Sequence, residues 1–77
     1  MQAQELLEIY NRIQPHIYQT PVLNSRLINE IAGCKVYLKC ENFQKSGSYK
    51  IRGATNAILQ LSETERSRGV VTHSSGN

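Results

Sequence analysis

Leu6, Ile9, Tyr10 and Ile13 recur at the spacing of one helix face, and Glu5, Glu8, Asn11 and Arg12 fill the rest of the wheel. The spacing predicts a helix over residues 3–13, closed by Pro15. Residues 16–20 then read as extended, leading into Thr20-Pro21. A short helix carrying Leu27, Ile28 and Ile31 follows, with Asn24 or Ser25 as its cap and Gly33 as its left-handed close. From residue 36 to 41 the period changes to two. Val36, Leu38 and Cys40 share one face, and Tyr37, Lys39 and Glu41 the other, which predicts a strand. Residues 42–47 form a polar loop. Ile51, Ala54, Ile58 and Leu61 restore a helical stripe from Lys50 onward. Ser62-Glu63-Thr64-Glu65 has the form of a capping box, and Gly69 ends the turn it opens.

Val70, Val71 and Thr72 are predicted as a second short strand, buried on both faces if parallel to the first. Strands alternating with helices define an α/β layer with a parallel open sheet and flanking helices. Two strands are too few to complete such a layer. Ligands of open parallel sheets bind beyond the carboxyl ends of the strands. On that reading, the loop at 42–47 and the loop at 73–77 open on one edge.

At 77 residues the chain is at most one small domain with a thin core: 39% of residues are apolar, with no Trp and one Phe. Nine Lys/Arg against six Asp/Glu give a net charge of +3, with the basic residues scattered. Nucleic-acid binding calls for a basic stripe or a recognised module, and neither is present. No stretch approaches the ~20 apolar residues of a membrane span. The first residues lack the basic start and apolar run of a signal peptide. Cys34 and Cys40 lie ~20 Å apart along a strand at ~3.3 Å per residue, beyond the ~7 Å reach of a disulfide. Their spacing is not that of zinc ligands, and no metal site is expected in the chain. Two reduced thiols suit a cytoplasmic location. His16 has no catalytic or metal partner nearby in sequence and reads as a surface or satisfied core histidine.

The candidate chemistry lies in two segments. In Lys45-Ser46-Gly47-Ser48-Tyr49-Lys50, a small polar turn delivers a lysine to the mouth of a helix, with Ser46 or Ser48 as cap. An amine attacks carbonyls only when neutral, and a helix N-terminus with Lys45 and Arg52 nearby favours the neutral form. The plainer reading of the spacing alone is a solvated lysine. In Ser74-Ser75-Gly76-Asn77, hydroxyls, an amide and backbone N–H groups can receive a carboxylate or phosphate. Alone, that segment reads as an ordinary turn after a strand.

Glu41-Asn42-Phe43-Gln44-Lys45-Ser46-Gly47-Ser48-Tyr49-Lys50-Ile51-Arg52-Gly53-Ala54, followed by Ser74-Ser75-Gly76-Asn77, resembles the serine racemase and serine/threonine dehydratase family. These are pyridoxal-phosphate (PLP) enzymes of fold type II. The resemblance runs from about His16, through Thr20-Pro21-Val22-Leu23, to Asn77. It implies that Lys50 is the Schiff-base lysine and the acid/base on one face of the cofactor. Phe43 and residues 46–48 would line the cofactor pocket, and Asn77 would meet the cofactor's ring hydroxyl. Ser74, Ser75, Gly76 and Asn77 would hold the substrate carboxylate.

The resemblance also implies that Ser75 is the second acid/base, on the opposite face, where many dehydratases carry Ala. The implied activity is interconversion of L- and D-serine, with β-elimination of serine or threonine to an oxo acid and ammonia. Racemase-type members are homodimers that bind ATP at the dimer interface and Mg2+ through residues outside this chain. The segments matching the nucleotide site are Ser25-Arg26-Leu27 and Lys45-Ser46, and Arg26 departs from the small hydroxyl residue of the pattern.

On the same resemblance the 77 residues are an N-terminal fragment of the PLP-binding catalytic region, without a complete domain boundary. The phosphate cup and the partner of the pyridine nitrogen would lie downstream. The fragment alone is expected to bind PLP weakly and not to turn over. The resemblance does not choose among L-serine, D-serine and L-threonine. Two other readings stand beside it: a threonine/serine ammonia-lyase without racemase activity, and a truncated, non-catalytic piece. A third, a small basic binding module built on Tyr37, Phe43 and Tyr49 near Lys39, Lys45 and Lys50, lacks a recognised module pattern.

Overall fold

The computed structural model describes residues 1–75. Its first helix, α1 (Ala3–Ile13), follows the apolar stripe and gives way at Pro15 to a 3₁₀ turn, Gln14–His16. Proline lacks the N–H a continuing helix needs, so the chain leaves the helix there. An extended run carries the chain into β1 (Val22–Asn24). Helix α2 (Arg26–Ala32) opens on Ser25, whose Oγ accepts from the Ile28 N–H at 3.3 Å. It closes on Gly33 at φ 73°, a left-handed conformation that suits a residue without Cβ. Strand β2 (Tyr37–Lys39) follows.

Two 3₁₀ turns, Glu41–Phe43 and Lys45–Gly47, lead to α3 (Lys50–Leu59). Helix α4 (Glu63–Ser67) starts on the predicted capping box. Ser62 Oγ accepts from the Glu65 N–H at 3.1 Å, and Glu65 Oε1 accepts from the Ser62 N–H at 2.9 Å. The Ser62 N–H, and after it the Ser62 hydroxyl, hold the Glu65 carboxyl below its ordinary range.

The sheet departs from the sequence reading in two ways. Residues 70–72 form no strand, and Val71 is fully exposed. The two strands that do form, β1 and β2, pair antiparallel, with Val22 opposite Lys39, Leu23 opposite Leu38 and Asn24 opposite Tyr37. Strand β1 carries no alternation of its own, and it exists because β2 supplies its partner. A lone apolar run such as 70–72 has no such partner among the described residues. A sheet edge shared by the 42–47 loop and residues 73–75 therefore does not arise among the described residues, and the rest of the expected 73–77 loop lies outside them.

Two asparagines join α2 to the sheet. Asn24 Nδ2 donates to the Val36 carbonyl at 2.9 Å, and Asn29 Nδ2 donates to Asn24 Oδ1 at 3.0 Å. Asn29 Oδ1 accepts from the Val36 N–H at 2.8 Å. Helix α1 lies against α3, where Arg12 Nη1 donates to Asn56 Oδ1 at 2.7 Å and Ile13 is 3% exposed.

Ile13 is the only buried apolar side chain among the described residues. Leu6, Leu27, Ile28, Ile31, Val70 and Val71 stay exposed. The radius of gyration is 16.4 Å, against about 12 Å for a compact domain of this length. The elements are thus held together mainly by hydrogen bonds, and their apolar stripes are largely bare.

Candidate active site

The segment that carries Lys50 is tied to residues 16–20 by side chains rather than by main chain. The β1–β2 ladder reaches one bond past its last pair, where the Cys40 N–H meets the Pro21 carbonyl at 3.0 Å. Beyond that point the chain coils into the two 3₁₀ turns, and its backbone no longer runs alongside residues 16–20. Three side chains take over. Lys39 Nζ donates to the Thr20 carbonyl at 2.7 Å, Gln44 Nε2 to the Tyr18 carbonyl at 2.8 Å, and Lys45 Nζ to the His16 carbonyl at 2.8 Å. The Tyr18 and Thr20 carbonyls belong to the stretch that follows the 3₁₀ turn, and the His16 carbonyl to the last residue of that turn. Lys45 also lies over the Tyr18 ring, 5.1 Å from its centroid.

Glu41 completes the attachment. Its carboxylate accepts from the Thr20 hydroxyl on one oxygen and from Arg52 Nε on the other. Arg52 lies in the first turn of α3, two residues beyond Lys50. The Arg52 guanidinium, and after it the Thr20 hydroxyl, hold the Glu41 carboxyl at about 2, against the opposing effect of burial. The same contact pushes the Arg52 guanidinium above its usual range. Thr20 and Gln44 are 5% and 4% exposed, and no buried side-chain N or O among the described residues lacks a partner.

Lys50 is the first residue of α3, and its side chain is exposed. Its N–H approaches Ser48 Oγ at 3.4 Å, a long contact. Its amine meets no hydrogen-bonding partner among the described residues, whereas Lys39, Lys45 and Arg52 are each tied to a named acceptor. Arg52 is paired with Glu41, and Lys45 is held at His16.

Phe43 presents an exposed ring. Ser46 sits at φ 65° and Gly47 at φ 77°, so the turn before Lys50 passes twice through the left-handed region. Ser74 and Ser75 are exposed, and no hydrogen bond among the described residues joins Ser75 to Lys50. Gly76 and Asn77 lie outside the described residues.

The nucleotide candidates fall on two elements. Ser25 caps α2 with Arg26 and Leu27 in its exposed first turn, while Lys45 and Ser46 lie in the loop before α3. Among the described residues no group of three or more His, Cys, Asp or Glu could hold a metal ion, and no helix is long and apolar enough to cross a membrane. Both cysteines are free.

Sequence reasoning did not find the attachment formed by Thr20, Glu41, Gln44 and Arg52. A partial signal existed. Lys39 and Glu41 share the polar face of the predicted strand, and both reach Thr20. Gln44 had no local signal, because its partner lies 26 residues away.

Lys50, at a helix start behind a small polar turn and with no amine partner among the described residues, fits the lysine that PLP chemistry calls for. The sequence model of the pyridoxal-phosphate dependent enzyme family matches residues 13–77, and the chain belongs to that family. It is 58% identical over 73 residues to a serine racemase of Dictyostelium discoideum, covering 95% of this chain and 22% of the relative. It is 47% identical over 74 residues to a β-hydroxyaspartate dehydratase of Paracoccus denitrificans, covering 96% of this chain and 24% of the relative. Its structure superposes on maize serine racemase with a TM-score of 0.86 at 47% identity, covering 96% of this chain and 23% of that one. The chain thus has the fold of part of a fold type II PLP enzyme, and it spans about a quarter of the length of these relatives.

Proposed function

We propose that these residues form the lysine-bearing part of a serine racemase-like enzyme that interconverts L- and D-serine and also eliminates the β-hydroxyl of serine or threonine, giving an oxo acid and ammonia. The observation that carries the reading is the Lys50 amine, which has no partner among the described residues, on a segment whose neighbouring cations Lys39, Lys45 and Arg52 are tied down. When bound, PLP supplies the electron sink that stabilises negative charge at the substrate Cα. Lys50 would hold the cofactor and would then take and return the Cα proton on one face. Ser75 carries the proton on the other face. Phe43 would line the cofactor pocket, and Asn77 would meet the cofactor's ring hydroxyl. Ser74, Ser75, Gly76 and Asn77 bind the substrate carboxylate through N–H and O–H donors.

The 77 residues are read as an N-terminal portion of the cofactor-binding region, without a complete domain of their own. Two supports are the single buried apolar side chain among the described residues and the quarter-length match to the relatives. The same reading places the enzyme in the cytoplasm as a homodimer. ATP would meet Ser25, Arg26, Leu27, Lys45 and Ser46, and Mg2+ would bind outside this segment. An ammonia-lyase without racemase activity is the second reading. The identity shared with the Paracoccus dehydratase favours it.

The test uses an enzyme of the relatives' length carrying this segment. Borohydride reduction with PLP is expected to fix the cofactor on Lys50. Ser75→Ala is expected to abolish racemisation and spare elimination. Label scattered over other lysines would refute the role of Lys50. Equal loss of both activities in Ser75→Ala would refute the racemase assignment.

A further inference from the structure

The loop before Lys50 contains a conformation that needs an explanation. Ser46 lies at φ 65° and ψ 3°. A residue with a Cβ is disfavoured in the left-handed region and persists there only when its surroundings over-determine it. The neighbours of Ser46 do so largely through one residue. The Gln44 carbonyl accepts from the Gly47 N–H at 2.8 Å, closing the turn around Ser46. Gln44 Oε1 accepts from the Lys45 N–H at 3.0 Å, capping the same turn.

The Gln44 side chain also fixes where that turn stands. Its amide donates to the Tyr18 carbonyl at 2.8 Å and accepts from the Tyr18 N–H at 2.8 Å. That double exchange is what a hydrogen-bonded residue of an antiparallel strand makes with its partner. Gln44 therefore continues the β1–β2 pairing by side chain after the main chain has left it. An amide suits the place at neutral pH, because it offers a donor and an acceptor side by side where a carboxylate only accepts. Lys50, six residues on, has no side-chain partner among the described residues, so its position is inherited from its backbone.

We propose that Gln44 is a positioning residue for Lys50: its amide pairing with Tyr18 sets where the 45–50 turn, and hence the lysine, stands. The proposal rests on the reading of Lys50 given above, and its test separates the two.

In an enzyme of the relatives' length, Gln44→Met keeps the length of the side chain and removes both bonds to Tyr18. Its kcat is expected to fall about 10- to 100-fold, the cost of misplacing a reacting group by about 1 Å, with KM within about threefold and the cofactor stoichiometry of the folded enzyme kept. Gln44→Glu sets an oxygen against the Tyr18 carbonyl while ionised, and an O–H donor once protonated. Its kcat relative to the parent is expected to recover as pH falls from about 8 to about 6, because burial raises a carboxyl's pKa. In the cofactor-free protein, amides 45–52 of either variant are expected to exchange about tenfold faster or more, with residues 3–13 as protected as in the parent.

Losses that merely follow the folded fraction, or unchanged exchange at 45–52, would overturn the proposal. A parent that takes no borohydride-stable label at Lys50 sinks the reading of the lysine alone. The exchange measurement then still decides whether Gln44 places the segment. Should Gln44→Met not fold, Gln44→Glu and its pH response carry the decision.

Discussion

Replacing Glu41 by glutamine keeps the shape of the side chain and removes the charge that joins Thr20 to the first turn of α3. In the folded chain the Glu41 carboxyl is held at about 2 instead of 4.5, chiefly by Arg52 and then by Thr20. At ~1.36 kcal/mol per pH unit this difference corresponds to about 3 kcal/mol of preference for the folded form at neutral pH. Glu41 and Arg52 are 15% and 29% exposed at their side chains, so water screens part of it, and about 2 kcal/mol is the working figure. That lies between an exposed ion pair, roughly 0.2–1 kcal/mol, and a broken buried one, roughly 3–5 kcal/mol.

The sign follows from the lowered pKa. The contribution is complete above 4.5 and fades as pH falls toward 2. Urea unfolding of parent and Glu41→Gln, in an enzyme of the relatives' length, is expected to differ by about 2 kcal/mol at neutral pH and by about half that near pH 3. Hydrogen exchange at residues 41–52 locates the loss. A difference below about 0.5 kcal/mol at neutral pH, or one that stays constant down to pH 3, would refute the role given to the charge.

Lys50→Ala is expected to lose the borohydride-fixed cofactor and to lower turnover by about 10²- to 10⁴-fold, the range for removing a positioned acid/base. Mass spectrometry of the labelled peptide and steady-state rates check it. Gly33→Ala places a Cβ at φ 73° and is expected to cost roughly 1–2 kcal/mol, read from the urea midpoint. Ser62→Ala removes the hydroxyl half of the α4 capping box, and amide exchange at Glu65 and Arg66 is expected to rise about fivefold.

Much of this architecture is local and was legible in the residues themselves. The stripe of Leu6, Ile9, Tyr10 and Ile13 with Pro15 behind it determined α1, because helix period and proline's missing N–H act within a few residues. Ser25, Gly33 and the Ser62–Glu65 box set the ends of α2 and α4 for the same reason. The motif around Lys50 identified the family before any geometry was known.

Pairing across distance was not legible. The direction of the β1–β2 pair, the absence of a strand at 70–72 and the attachment of residues 39–52 to 16–20 depend on partners far apart in the chain, from Asn24 opposite Tyr37 to Gln44 against Tyr18. A hydrogen bond leaves no period in the sequence at that separation. Glu41 and Arg52 looked like ordinary loop and helix charges until tertiary structure set them against Thr20 and each other. The sequence by itself thus determined the lysine-bearing motif and the family it points to. Only the tertiary structure decided what holds that lysine in place, because its supports are contacts between distant residues.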